Sequence, residues 1–137
     1  MLLYLDSNVF ISLMKREVGR NIRGLFVEAE LFFDKVVQRG HIVALSDLFF
    51  REVEQICYLN KDEVLKYFQK ICVKTLLVEF NKKIRFEEFA KIGIHFPDSL
   101  HVAIAVHYNC DCIVTFNLKD FSKASEKIPA FSPGNFY

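Results

Sequence analysis

Short apolar runs alternate with amphipathic stretches along the chain. Leu2 to Leu5 is a continuous apolar run, the pattern of a strand buried on both faces. Ser7 or Asn8 can cap a helix over residues 9–15, which Gly19 ends. Residues 21–38 carry Ile22, Leu25, Phe26, Ala29, Phe32, Phe33 and Val36 at helical spacing, and Gly40 stops that helix. A second apolar strand follows at 41–45. Ser46 and Asp47 then open a helix over 48–58, and Asn60 or Asp62 caps another reaching about residue 71. A strand at 73–78 and a helix at 81–92 come next. Pro97 and Asp98 open a nearly all-apolar helix to residue 108, predicted to be well buried. A fourth strand at 112–115, a short helix at 119–125 and a last strand at 128–131 complete the chain.

Strands that alternate with helices imply a parallel sheet covered on both faces, a three-layer α/β/α doubly wound arrangement of about five strands. A length of 137 residues suits one domain, 1–137, with one core. In such sheets ligands bind beyond the carboxyl ends of the strands. Asp6 follows the first strand directly. Glu52 lies in the second turn of the helix after the second strand. Thr115 and Asn117 follow the fourth strand, with Asp120 close behind, and Asp98 begins the helix feeding that strand. Three of the acids also have a plain role in helix capping: Asp6 and Asp98 as N-caps, and Asp120 with Asn117 as a capping-box-like pair. Glu52 has no such role. Its helical neighbours Leu48, Phe49 and Ile56 put it at the edge of an apolar stripe, whereas Glu54 sits among Arg51 and Tyr58 as a surface acid.

Four carboxylates facing one crevice repel each other, so the set is stable only with a cation. Oxygen ligands without His or Cys favour Mg²⁺ or Mn²⁺ over zinc. Such ions polarise a phosphodiester, activate water for in-line attack and stabilise the leaving oxygen. Asp6, Glu52, Asp98 and Asp120 are therefore the candidate catalytic and metal-binding residues, with Ser7, Thr115 and Asn117 as polar supports.

Composition narrows the alternatives. The chain is 52% hydrophobic and 26% charged, which describes a globular protein. Its net charge of +1 excludes a uniformly basic nucleic-acid binder but permits a local basic groove. Cys57, Cys72, Cys110 and Cys112 form no CxxC pair, and Cys110 and Cys112 read as small apolar residues leading into a strand. The apolar stretch before Asp6 is too short for a signal peptide, and no run approaches the ~20 apolar residues of a membrane span. A soluble, cytoplasmic, thiol-reduced protein is expected. The glycines are isolated, so no phosphate-cradling loop is present.

Several segments, in order, resemble the PIN-domain family and in particular its VapC-type toxin ribonucleases. Leu3-Tyr4-Leu5-Asp6-Ser7-Asn8-Val9 resembles the family's opening strand and first acid. Ser46-Asp47-Leu48-Phe49-Phe50-Arg51-Glu52 resembles its serine-to-glutamate stretch. Pro97-Asp98-Ser99-Leu100-His101-Val102-Ala103-Ile104-Ala105 resembles the segment with the third acid, and Ile113 to Phe121 the end of strand four with its polar residues and fourth acid. Phe131-Ser132-Pro133 is similar to the last strand and its usual proline. The resemblance spans essentially the whole chain. It implies a Mg²⁺- or Mn²⁺-dependent endoribonuclease, commonly a homodimer and often held inactive by an antitoxin protein. It places metal ligation, or orientation of the attacking water, on Asp6, Glu52, Asp98 and Asp120. Asn117 departs from the pattern, standing where many relatives carry an acid, so the last carboxylate falls to Asp120.

Two other readings stay open. A phosphatase using Asp6 as nucleophile usually needs a second acid two residues on, and Asn8 occupies that position. A catalytically silent binding module with the same fold is the other. For RNA contact the candidates are Lys15, Arg16, Arg20 and Arg23 after the first acid, and Lys119, Lys123 and Lys127 after the last. His101 reads as a packed core histidine, and the abundant Phe and Leu on the helices suggest self-association.

Overall fold

A computed structural model describes residues 1–19 and 23–136. Five strands form one parallel sheet: β1 (Leu2–Leu5), β4 (Ile42–Ser46), β5 (Lys74–Val78), β6 (Cys112–Val114) and β7 (Ala130–Phe131). Their spatial order is β5-β4-β1-β6-β7, with every pairing parallel. The chain builds outward from β1 to one side, then returns across the sheet to build the other. The crevice between the carboxyl ends of β1 and β6 is thus the point where the winding reverses, where doubly wound sheets bind ligands.

The apolar strand runs are buried on both faces, and their period of two sorts them into two cores. Leu3, Leu5, Val43, Leu45, Cys112 and Val114 join an aromatic-rich core under α1 (Ser7–Met14), α2 (Leu25–Arg39), α3 (Asp47–Cys57) and α4 (Lys61–Lys70). Phe10 is its centre, with ring centroids 5.8 Å from Phe49, 5.7 Å from Tyr67 and 5.3 Å from Phe68. Tyr4, Ala44 and Ile113 face the opposite, mainly aliphatic core under α5 (Glu87–Lys91), α6 (Asp98–His107) and α7 (Leu118–Phe121). The expected three-layer arrangement is the one found.

Caps explain most boundaries. Ser46 Oγ accepts from the Phe49 amide at 3.1 Å, starting α3, and Asn60 and Glu63 form a reciprocal capping box on α4. Gly40 ends α2 with φ +66°, a conformation glycine adopts without the steric cost of a Cβ. Two expectations need correction. The helix predicted over 21–38 begins at Leu25, because Val18–Gly19 and Arg23–Gly24 pair as a small antiparallel ladder, β2 and β3. Residues 20–22 lie outside the described ones. The helix predicted over 81–92 shrinks to Glu87–Lys91. The Asn81 side chain accepts from the Lys83 amide at 2.9 Å, a local turn that competes with helix formation. All four cysteines are free, with Cys110 and Cys112 buried and Cys72 exposed.

Candidate metal centre

The acids predicted at the sheet edge belong to four separate elements. Asp6 directly follows β1, Glu52 rides on α3, Asp98 starts α6 and Asp120 lies in α7. Asp6 and Asn117 occupy N-cap positions, yet neither side chain makes a capping hydrogen bond, and Pro97 holds the cap position that Asp98 was expected to fill. Ser7 and Asn8, expected as caps of α1, bond elsewhere too. These polar groups are turned toward one another.

Asp6 is buried, and its Oδ2 accepts from Thr115 Oγ1 at 2.7 Å. Thr115 is fixed in turn: its Oγ1 accepts from Asn8 Nδ2 at 3.2 Å and from the Asn117 amide at 2.9 Å. Asn8 Oδ1 accepts from the Phe116 amide at 3.2 Å, which ties the start of α1 to the loop after β6. Glu52 Oε1 accepts from Ser7 Oγ at 2.8 Å and lies 2.8 Å from His101 Nε2. On its far side the His101 ring meets the Tyr4 hydroxyl through Nδ1. Asn117 Nδ2 donates to Asp98 Oδ2 and to Asp120 Oδ2, both at 3.0 Å.

Electrostatics separates these carboxylates. Burial pushes the Asp6 pKa up, with the Glu52 charge adding, against the opposing pull of His101 and Thr115. Asp98 is raised to about 6, first by burial and then by the nearby Asp6 charge. Burial alone would raise Glu52 as well, but the hydrogen bonds from His101 and Ser7 and the His101 charge outweigh it and hold it below the usual range. Asp120 is lowered, chiefly by the Asn117 hydrogen bond and then by Lys123, whose Nζ stands 3.5 Å away. His101 is raised: burial opposes its charge, and Glu52, Asp6 and Asp98 overcome that penalty.

Asp6, Glu52 and His101 offer donor atoms within 4.8 Å of one another, which makes a possible metal site. Asp98 and Asp120 stand outside that group of three and are joined to each other through Asn117. Among the other predicted residues, Lys15, Arg16, Lys119 and Lys127 are exposed, while Lys123 Nζ donates to the Gly93 carbonyl at 3.0 Å. Arg20 lies outside the described residues, as does the Arg23 side chain.

His101 is the site residue that sequence reasoning left out. Reading it as a packed core histidine was right about its burial and missed its partners. The available signal was a single ionisable side chain in the midst of α6, three residues after Asp98.

Known proteins place the fold. No family model matches this sequence, and no curated protein does. Solved structures do match in shape, among them VapBC-1 from nontypeable Haemophilus influenzae. At 16% identity it superimposes with a TM-score of 0.65, over 97% of this chain and 98% of that one. The chain has that fold. VapBC2 from Rickettsia felis, bound to a DNA fragment from their promoter, gives a TM-score of 0.61 at 15% identity, over 96% of this chain and 98% of that one. FitAB bound to the IR36 DNA fragment gives 0.57 at 17% identity, over 100% and 98%. The match over nearly full length agrees with the PIN-like doubly wound sheet expected from the sequence. Among the described residues no helix is long and apolar enough to cross a membrane.

Proposed function

We propose that this chain is a divalent-metal-dependent endoribonuclease, a single PIN-like domain over 1–137, acting in the cytoplasm as the toxin of a VapBC-type pair. The observation that carries the reading is the gathering of Asp6, Glu52 and Asp98 at the β1/β6 crevice. There Asp6 is buried, and the Asp98 pKa is raised to about 6, first by burial and then by the Asp6 charge. Partly desolvated carboxylates that stand this close are short of positive charge. Carboxylate oxygens are also the donors that Mg²⁺ and Mn²⁺ prefer, so the residues fit such an ion.

Asp6 and Glu52 would hold it from the inner side, and Asp98 and Asp120 from the outer side. When bound, a divalent ion of this kind supplies charge stabilisation for a phosphodiester under attack by water. The chain's own residues do the positioning. Thr115 orients Asp6, Ser7 orients Glu52, and Asn117 keeps Asp98 and Asp120 in register through one amide nitrogen. The exposed Lys15, Arg16, Lys119 and Lys127 supply phosphate contacts for RNA. An antitoxin partner is part of the proposal, supported by the likeness to structures named VapBC and FitAB, and so is a homodimer, which rests on the abundant Phe and Leu of the helices.

The test is cleavage of RNA by the purified chain with and without Mn²⁺, alongside Asp6→Asn. Metal-dependent cutting by the wild type, lost in the folded variant, is the expected result. Undiminished cutting by Asp6→Asn would remove the site assignment. Mn²⁺ binding without cleavage of any RNA would favour a silent module of the same fold.

A further inference from the structure

His101 lies in the interior with no side-chain exposure, in a helix otherwise lined by Leu100, Val102, Ala103, Ile104 and Ala105. An alkyl side chain would fill that position without the cost of desolvating an imidazole. Both ring nitrogens are engaged instead, Nδ1 with the Tyr4 hydroxyl and Nε2 with Glu52 Oε1 at 2.8 Å. An ionised carboxylate has only acceptors, so the hydrogen between these partners sits on Nε2. A nitrogen that carries this hydrogen offers no lone pair to a cation. His101 is close enough to share an ion with Asp6 and Glu52, but in this arrangement it is a donor to Glu52 and not a ligand.

The two bonds on Glu52 are unevenly placed. Ser7 Oγ also reaches Oε1, at 2.8 Å, so both donors converge on one oxygen. Among the described residues Oε2 takes no hydrogen bond. The brace extends beyond His101, because the Tyr4 hydroxyl lies 3.0 Å from Ser46 Oγ, which itself caps the helix carrying Glu52. Ser7 on α1 and His101 on α6 therefore fix one carboxylate of α3, with Tyr4 on β1 holding His101 from behind.

We infer that His101, held by Tyr4, is a positioning residue that pins Glu52 through Oε1 and so presents Oε2 to a divalent cation. The inference rests on the metal-site part of the proposed function and is independent of the RNA substrate. Hydrogen-bond partners of metal-binding carboxylates typically change metal affinity 10- to 100-fold when removed.

The experiment is Mn²⁺ titration of the full chain, followed by electron paramagnetic resonance, for wild type, His101→Leu, His101→Gln and Tyr4→Phe. Circular dichroism and thermal melting check that each variant is folded. His101→Leu is expected to weaken Mn²⁺ binding about 10- to 100-fold. His101→Gln keeps an amide donor and should recover part of that loss, and Tyr4→Phe should give a smaller loss. The wild-type Mn²⁺ signal should show no nitrogen hyperfine coupling. A coupling that disappears in His101→Leu would make His101 a ligand and overturn the inference, and so would His101→Leu binding Mn²⁺ as the wild type does. If that variant does not fold, Tyr4→Phe decides, and unchanged affinity there overturns the inference. A wild type that binds no Mn²⁺ overturns it as well. Mn²⁺ binding that responds to His101 in a protein cutting no RNA would support the brace and remove the ribonuclease reading alone.

Discussion

The inner and outer halves of the acidic cluster are built on different principles. On the inner side Asp6 and Glu52 meet Thr115, Ser7 and His101, all three buried and each committed to a particular carboxylate oxygen. On the outer side Asp98 and Asp120 are only partly buried and share a single amide nitrogen of Asn117. Buried polar groups must be matched within the protein, because water cannot compensate them. The inner half is therefore organised by the fold itself, in advance of any ligand. The outer half keeps some access to solvent, and partial burial, followed by the Asp6 charge, raises its Asp98 pKa to about 6.

The largest predicted effects fall on the inner half. Asp6→Asn preserves shape and still accepts the Thr115 hydrogen bond, so the chain should remain folded. It removes the charge at the centre of the cluster, and cleavage of RNA should fall by at least about 100-fold, the scale of losing one preorganised electrostatic group. Activity within twofold of wild type would show that the inner half does not carry the chemistry. Thr115→Val is the complementary test on stability. It strips a 2.7 Å hydrogen bond from a buried carboxylate and leaves the Asn8 and Asn117 donors without their acceptor. Urea unfolding should show a loss of about 2 kcal/mol. An unchanged midpoint would mean that water replaces the hydroxyl and that the inner half is more open than its burial suggests.

The two halves also differ in how far the sequence discloses them. Strand alternation and the polar residues after each apolar run were enough to put Asp6, Glu52 and Thr115 at one edge, because parallel topology brings carboxyl ends together whatever the loops do. Glu52 over Glu54 followed from helical geometry, since only one of the two borders the apolar stripe. The loops were harder. Residues 81–92 look helical by spacing, but one Asn81 side-chain bond diverts the start into a turn. Likewise Tyr4 and His101 look like ordinary core residues, because a hydrogen bond spanning 97 positions leaves no local periodicity. Asn117 stands out in the sequence only as an amide among acids, and its role in joining Asp98 to Asp120 depends on where α6 and α7 meet.

Asp98→Asn sharpens the contrast from the outer side, with the opposite sign on stability. A carboxyl whose pKa is raised from 3.8 to about 6 by folding holds more protons in the native state than in the unfolded one across that interval. Stability in the absence of metal therefore falls as pH rises from about 4 to 6, and the charged form remains a liability at neutral pH. Asn removes that charge. After discounting for the partial exposure of the group, metal-free protein at pH 7.5 should gain about 1 kcal/mol in urea unfolding. The slope of stability with pH should flatten, though not vanish, because Asp6 is raised as well. Mn²⁺ should then stabilise the wild type more than the variant. A variant less stable than wild type at pH 7.5 would mean that Asp98 is held by contacts that outweigh its burial and its repulsion from Asp6.

Asn117→Ala should have the smallest effect on stability and is for that reason the more discriminating probe of the outer half. Its side-chain nitrogen is the bridge between Asp98 and Asp120, and both acids are exposed enough for water to replace it. Unfolding free energy should shift by no more than about 0.5 kcal/mol, the range of ordinary surface substitutions. Loss of the bridge should nevertheless push the Asp98 pKa further upward, because the Asn117 bond now favours its charged form. The chemical shift of the Asp98 carboxyl carbon, followed by NMR titration, should report that rise. If the pKa instead stays at about 6 while stability collapses, Asn117 is a structural tie between α6 and α7, and the outer half is as rigidly built as the inner.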